Sequence, residues 1–265
     1  MDTITIAIIS LSGLGLICAA LITVASNIMF VKTDERVSKI NEILPGANCG
    51  ACGFSGCTGY AEALIKEDAA HNLCPPGGEE VYKQINGILG AGEGEGLAKM
   101  TAIVHCLGDA EAMREKMEYI GINTCFAAKQ LYGGQGACTF GCIGFGDCVS
   151  VCPADAICIE NSLAYIDPRR CTGCGVCIKT CPTNVISIEK EPIHVAVLCK
   201  NTEKGAMLKD KCTKGCIGCL KCVKECPAGA ITVSDFLAII DYSKCNGCGK
   251  CAEVCIKKCI VSFPL

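Results

Sequence analysis

Cys216-Ile-Gly-Cys219-Leu-Lys-Cys222-Val-Lys-Glu-Cys226-Pro227 decides the fold. Its C-x2-C-x2-C-x3-C-P spacing is that of a bacterial ferredoxin iron–sulfur site. Three closely spaced thiolates wrap one cubane, and the fourth leaves along the chain to ligate the other. Cys245-Asn-Gly-Cys248-Gly-Lys-Cys251-Ala-Glu-Val-Cys255 repeats the spacing, with Ile256 where proline is usual. The rule therefore assigns Cys216, Cys219, Cys222 and Cys255 to one [4Fe–4S] centre, and Cys245, Cys248, Cys251 and Cys226 to a second. Zinc sites are built from C-x2-C pairs, and two interlocked four-cysteine runs match them poorly.

A shift of 74 residues finds an earlier copy. It superimposes Cys142, Cys148, Cys152, Cys171, Cys174, Cys177 and Cys181 on Cys216, Cys222, Cys226, Cys245, Cys248, Cys251 and Cys255. Pro153, Ala154 and Ala156 fall on Pro227, Ala228 and Ala230, and Ile166-Asp167 falls on Ile240-Asp241. Two ferredoxin modules thus stand in tandem. The copy departs at Phe145, which occupies the place of Cys219. Cys138, four residues before Cys142, is the substitute expected here. The first module then holds one centre on Cys138, Cys142, Cys148 and Cys181, and another on Cys152, Cys171, Cys174 and Cys177. Cys212 matches Cys138 at the same shift. Since Cys219 is present in that copy, Cys212 is spare by count or an alternative ligand.

Further upstream, Cys49-x2-Cys52-x4-Cys57 is followed by Cys74, in a loop containing Gly46, Gly50, Gly53 and Gly56. Small residues let backbone N–H groups approach cluster sulfurs, and such bonds tune the potential. This is the fifth expected [4Fe–4S] centre, with zinc as the alternative. The remaining cysteines are Cys18, Cys106, Cys125, Cys158, Cys199, Cys212 and Cys259. Cys18 suits an apolar helix, and Cys158 and Cys259 suit strand packing. Cys106, Cys125, Cys199 and Cys212 number enough for a sixth centre, and Cys125 falls on Cys199 at the 74-residue shift. Their other reading is as buried thiols.

Residues 3–31 carry no charge, a run longer than the ~20 residues a helix needs to cross a bilayer. Lys32, Arg36 and Lys39 follow it, so the positive-inside tendency puts the N-terminus outside and the rest in the cytoplasm. A reducing cytoplasm and an odd total of 27 cysteines both speak against disulfides. A net charge of -3 offers no general basic surface, so nucleic acid is not an expected partner. A mean hydropathy of +0.40 gives ample apolar surface to bury. Helices are expected over 34–44, ended by Pro45, and over 79–89. Gly90 to Gly96 reads as a linker, because its glutamates would repel a phosphate. His71, His105 and His194 are isolated, and no acid–base or nucleophilic arrangement is visible. Lys200, Lys204, Lys209, Lys211, Lys214, Lys221 and Lys224 form either a solvated face or a docking patch for an acidic electron donor.

The expected fold is α+β: one N-terminal transmembrane helix, a small helical four-cysteine Fe–S domain and two tandem 2[4Fe–4S] ferredoxin-like modules. The expected boundaries are 1–31 for the anchor, 32–90 for the four-cysteine domain, 91–136 for a connecting segment, and 137–190 and 191–265 for the modules.

An uncharged N-terminal helix, then Glu42-Ile-Leu-Pro-Gly-Ala-Asn-Cys-Gly-Ala-Cys-Gly-Phe-Ser-Gly-Cys57, then ferredoxin modules, resembles the B subunit of Rnf complexes across essentially the whole chain. The four-cysteine domain alone is also similar to one in corrinoid iron–sulfur proteins, which lack this anchor and these modules. Rnf complexes are membrane-bound ferredoxin:NAD+ oxidoreductases that couple electron flow to Na+ or H+ transport. The resemblance implies an electron-transfer subunit of this translocase, on the cytoplasmic side of the cell membrane. Its donor would be soluble reduced ferredoxin and its partners the other Rnf subunits. NAD and flavin would belong to those subunits and not to this chain. A stand-alone, membrane-tethered polyferredoxin is the alternative.

Overall fold

The computed structural model describes residues 3–28, 34–92 and 98–263, with the side chains of the first helix described over 11–26. Lys32 and the end of the uncharged run lie outside the described residues, as do residues 93–97 of the expected linker. Helix α1 (Thr3–Ile28) is continuous over 26 residues. Among the described residues, no helix is long and apolar enough to cross a membrane.

Three helices make the next unit: α2 (Glu35–Ile43), α3 (Cys57–Ile65) and α4 (Gly78–Leu89). Asp34 caps α2 by accepting from the Arg36 N–H at 2.9 Å, and the Gly90 cap ends α4 in the left-handed region. Both helices expected from the sequence are therefore present. Their buried faces meet at Val37, Ile40, Tyr60, Leu64 and Ile85. The Tyr60 hydroxyl donates to the Ala70 carbonyl at 2.8 Å and accepts from the Leu73 N–H at 3.2 Å. It thereby fixes the return of the chain that carries Cys74.

The remainder forms two modules of one plan. The first contains β1 (Met100–Val104), α5 (Cys125–Gln130), α6 (Asp147–Ser150), β2 (Ile157–Glu160), β3 (Leu163–Ile166), α7 (Val176–Thr180) and β4 (Ile186–Lys190). The second contains β5 (Val195–Val197), α8 (Gly205–Leu208), α9 (Lys221–Glu225), β6 (Ile231–Ser234), β7 (Leu237–Ile240), α10 (Lys250–Glu253) and β8 (Ile260–Ser262). In each, a central hairpin pairs antiparallel, β2 with β3 and β6 with β7. The outer strands also pair, β1 with β4 from Met100↔Lys190 to Val104↔Ile186, and β5 with β8 from Val195↔Ser262 to Val197↔Ile260. Strand β1 falls within 91–136, expected as a connecting segment, and its pairing makes it part of the first module. Cysteine spacing could not reveal this, because the partner strand lies more than eighty residues downstream.

The two cores match residue for residue at the 74-residue shift. Ile157, Ala164, Ile166 and Ile186 pack with Cys142, Cys148 and Cys177. Ile231, Ala238, Ile240 and Ile260 pack with Cys216, Cys222 and Cys251. Between the modules, Ile103, Ala196 and Leu198 form a third buried group. His105 adds a polar tie, with Nδ1 2.7 Å from the Val197 carbonyl and Nε2 2.6 Å from Ser187 Oγ. Burial lowers its pKa, which keeps the ring neutral in this role.

Gly173 shows how tightly a cysteine loop lies against an outer strand. Its φ is +68°, and a Cβ there would stand 2.6 Å from the Met100 carbonyl oxygen of β1. Gly173→Ala is expected to cost about 1–3 kcal/mol of stability, because the backbone is left-handed and the obstacle is backbone. Urea unfolding followed by far-ultraviolet circular dichroism measures it, and an unchanged midpoint would contradict the packing.

Candidate metal centres

No cysteine is in a disulfide. Among the described residues, no three His, Cys, Asp or Glu side chains converge tightly enough to hold a single metal ion. A tetrahedral zinc, ~2.3 Å from each sulfur, would draw its ligands to such a point. The cysteines instead surround spaces.

Cys49, Cys52 and Cys57 all bear on Cys74, whose thiol is raised mainly by burial. The Cys57 N–H donates to Asn48 Oδ1 at 2.9 Å, which joins the start of the cysteine loop to the start of α3. In the first module, Cys152, Cys171, Cys174 and Cys177 line one cavity. Strand β1 donates its Ala102 N–H to Cys171 Sγ at 3.4 Å, and the Ala156 N–H donates to Cys152 Sγ at 3.3 Å. In the second, the Ala230 N–H donates to Cys226 Sγ at 3.4 Å, and both Cys226 and Cys245 bear on Cys251. Cys216, Cys219, Cys222 and Cys255 line another cavity. These groups are the ones the spacing rule assembles, with Cys248 as an exposed member of its loop.

The first module departs from expectation at one position. The cavity lined by Cys142, Cys148 and Cys181 has Cys125 as its remaining cysteine, and Cys138 is not among its walls. Cys138 lines a different cavity, together with Cys106, Cys199 and Cys212. The reason is an insertion. Cys106 and Cys138 are 32 residues apart, whereas Cys199 and Cys212 are 13 apart, so the first copy has nineteen extra residues. Cys125 lies in that extra stretch. The structural match to Cys199 is consequently Cys106 rather than Cys125. Cys106 follows β1 and accepts from the Cys142 N–H at 3.4 Å, while Cys199 follows β5 and accepts from the Cys216 N–H at 3.3 Å.

The insertion is held where it is by Asp147. Its carboxylate oxygens accept from the Cys125 N–H at 2.8 Å and the Phe126 N–H at 3.0 Å, capping α5. The matching residue of the second copy is Lys221, which could not do this. Phe145 becomes part of the seat: its ring lies 5.5 Å from that of Tyr119, and both pack with Cys125, Ala128 and Ile143. The loss of a cysteine at 145 and the gain of one at 125 are thus one rearrangement. Asp147, at an otherwise lysine position beside the departure, was the sequence signal for it.

Burial pushes the Cys106 and Cys148 thiols up to about 12, and the Cys177, Cys199 and Cys222 thiols up to about 11. A buried thiolate needs positive charge beside it, and an iron–sulfur core provides that charge. The donor set fits such a core: thiols throughout, backbone N–H groups on sulfur, and apolar walls. Cys259, expected only as strand packing, is buried at the position of Val185 and also faces the cavity of Cys216 and Cys255. Its Sγ is 3.6 Å from Cys255 Sγ, and its thiol lowers Cys255 to about 5 and Cys216 to about 6. Cys158, the other such residue, is exposed on β2.

Comparison with known proteins finds iron–sulfur domains along the chain. A family model for an Fe–S cluster domain matches residues 44–76, one for a 4Fe-4S binding domain matches 164–187, and one for a 4Fe-4S dicluster domain matches 215–259. A Methanosarcina acetivorans protein, named as the B subunit of an ion-translocating oxidoreductase complex, is 40% identical over 94% of this chain and 95% of its own length. The B subunit of the Na+-translocating ferredoxin:NAD+ oxidoreductase complex of Acetobacterium woodii is 37% identical over 98% of this chain and 78% of its own length. The B subunit of the proton-translocating ferredoxin:NAD+ oxidoreductase complex of Clostridium ljungdahlii is 38% identical over 98% of this chain and 91% of its own length.

Cys125→Ala is expected to lose about four irons per chain, the content of one cubane, with the remaining centres retained. Asp147→Ala is expected to lower occupancy of the same centre, because it frees the end of α5. Iron analysis and electron paramagnetic resonance on anaerobic protein decide both. A full iron complement in Cys125→Ala would return the fourth place to Cys138.

Proposed function

This chain belongs to the family of B subunits of ion-translocating ferredoxin:NAD+ oxidoreductase (Rnf) complexes, and transfers electrons within such a complex; on that premise we propose that it takes them from reduced soluble ferredoxin and passes them to the other subunits. The ligands proposed are Cys49, Cys52, Cys57 and Cys74; Cys152, Cys171, Cys174 and Cys177; Cys125, Cys142, Cys148 and Cys181; Cys216, Cys219, Cys222 and Cys255; and Cys226, Cys245, Cys248 and Cys251. The observation that carries the reading is that three of these groups of four cysteines each line one cavity inside the module cores. Each bound [4Fe–4S] centre would supply a one-electron couple.

The chain's own residues do the rest. The thiolates hold iron, the N–H groups of Ala102, Ala156 and Ala230 stabilise charge on sulfur, and the β2–β3 and β6–β7 hairpins keep water from the cores. The groups are also ordered along the molecule. Cys49 lies near enough to Cys174 to raise its thiol, and Cys177 does the same to Cys148. The four-cysteine domain therefore adjoins one end of the first module's pair. At the other end of the chain, Cys219 and Cys248 are exposed, unlike the ligands proposed for the first module. That favours the second module as the face where ferredoxin docks. Of the lysines around it, Lys211 and Lys214 are engaged with Glu203 and Asp109 at 2.5 and 2.8 Å. Lys204, Lys209, Lys221 and Lys224 are exposed and open to an acidic partner.

Helix α1 is proposed as a single membrane span, with residues from Asp34 onward in the cytoplasm. The uncharged run and the continuous backbone helix support this reading. Protease treatment of sealed inside-out vesicles should then digest the cysteine-rich region, and its protection would reverse the orientation.

Mixing the anaerobic protein with reduced ferredoxin is expected to bleach its visible absorbance. Lys221→Glu together with Lys224→Glu should slow this by about tenfold at low salt, with the difference shrinking as salt rises and iron content unchanged. Failure of ferredoxin to reduce the wild-type protein would overturn the assigned donor.

A further inference from the structure

We infer that Cys106, Cys138, Cys199 and Cys212 hold a sixth [4Fe–4S] centre, seated between the two modules and built half from each. These four residues lie outside the ferredoxin spacing rule, yet they line one cavity. Cys125, Cys142, Cys148 and Cys181 line one in the same way. The remaining walls include Leu198, Leu208, Phe140 and Met113, so the space is apolar apart from its sulfurs and a few polar neighbours.

The arrangement is doubled. Cys106 and Cys199 follow the first strand of their modules, and Cys138 and Cys212 precede the first cysteine of their motifs by four residues. Hydrogen bonds to sulfur repeat with them. The Cys142 and Gly108 N–H groups donate to Cys106 Sγ at 3.4 and 3.3 Å, and the Cys216 N–H donates to Cys199 Sγ at 3.3 Å. Asn201, which is 1% exposed, donates from Nδ2 to Cys138 Sγ at 3.3 Å across the junction. A buried amide aimed at a sulfur suits a thiolate better than a neutral thiol.

The junction is fastened around this space. The Arg114 N–H donates to the Lys211 carbonyl and the Thr213 N–H to the Ala112 carbonyl, each at 2.9 Å, and Lys214 pairs with Asp109 at 2.8 Å. Zinc is the competing occupant. It would draw these four sulfurs to about 2.3 Å from one ion, and the metal count below tells it from a cubane.

Cys142 and Cys216, whose N–H groups bond to the junction sulfurs, are themselves proposed ligands of the nearest centre on either side. The sixth site therefore completes an unbroken series of ligand groups from one module to the other. It rests on reading the motif sites as cubanes, and Cys125→Ala tests that reading separately.

The test is an iron, sulfide and zinc count on the full-length protein purified anaerobically, wild type beside Cys138→Ala and Cys212→Ala. The wild type should hold about 24 irons, and each variant should lose about four and the same paramagnetic signal, although the substitutions lie in different modules. A wild type with about 20 irons that neither variant alters, or one equivalent of zinc lost from both, overturns the sixth centre. The wild-type count stands even where a variant folds poorly. A loss of four irons in Cys125→Ala alongside an intact Cys138→Ala would leave the motif sites standing and refute this one.

Discussion

Sulfur buried in an apolar core is the constraint on which the rest of the structure depends. Cys142, Cys148 and Cys177 are core residues of the first module as much as Ile157 or Ile166, and Cys216, Cys222 and Cys251 are their counterparts in the second. Burial alone would hold such thiols protonated, as the upward shifts of Cys148, Cys177 and Cys222 show. A chain that needs them as thiolates must place N–H donors and cationic metal around them. The strand ends, turns and helix starts of both modules are arranged to that end. Little else could form the interior, because the strands are three to five residues long and their sheets have two strands each. Two-stranded sheets of this kind are marginal without something to pack against.

The copies show what such a design can change. Val185 of one core is Cys259 in the other, and Asp147 of one is Lys221 in the other. The nineteen-residue insertion carries a new cysteine into a place its copy fills locally. It succeeds because Asp147 and Phe145 receive it, so three changes far apart in sequence act as a single one. The segment between Cys106 and Cys138 also supplies Met113 and Arg114, which run beside residues 211–213 of the second module.

Much of this was legible in the sequence. The C-x2-C-x2-C-x3-C runs report local loop geometry, so the groups around Cys171 and Cys216 could be read directly, as could the duplication. The helices found at 35–43 and 78–89 were expected over 34–44, from the apolar face and Pro45, and over 79–89, after Gly77-Gly78. What could not be read depended on non-local contact. Cys125 rather than Cys138 lines the cavity of Cys142, Cys148 and Cys181, which was hidden because a fixed shift of 74 holds only downstream of the insertion and nearness in sequence favoured Cys138. Strand β1 was missed because its partner β4 lies beyond the whole cysteine motif. The lysine face divided for a similar reason: Lys211 and Lys214 are occupied by Glu203 and Asp109, and only folding shows it.

The pairing of β1 with β4 also bears on how the protein is made. Met100 leaves the ribosome long before Lys190, and the strand that closes the first module has nothing to pair with in the interval. Until then the thiols of the motif stand open, within reach of both iron donors and oxidants. The second module, whose β5 and β8 enclose a shorter segment, closes after fewer residues. Biosynthesis therefore leaves the first module a longer exposed interval than the second, and places metal delivery and oxidative damage in competition there.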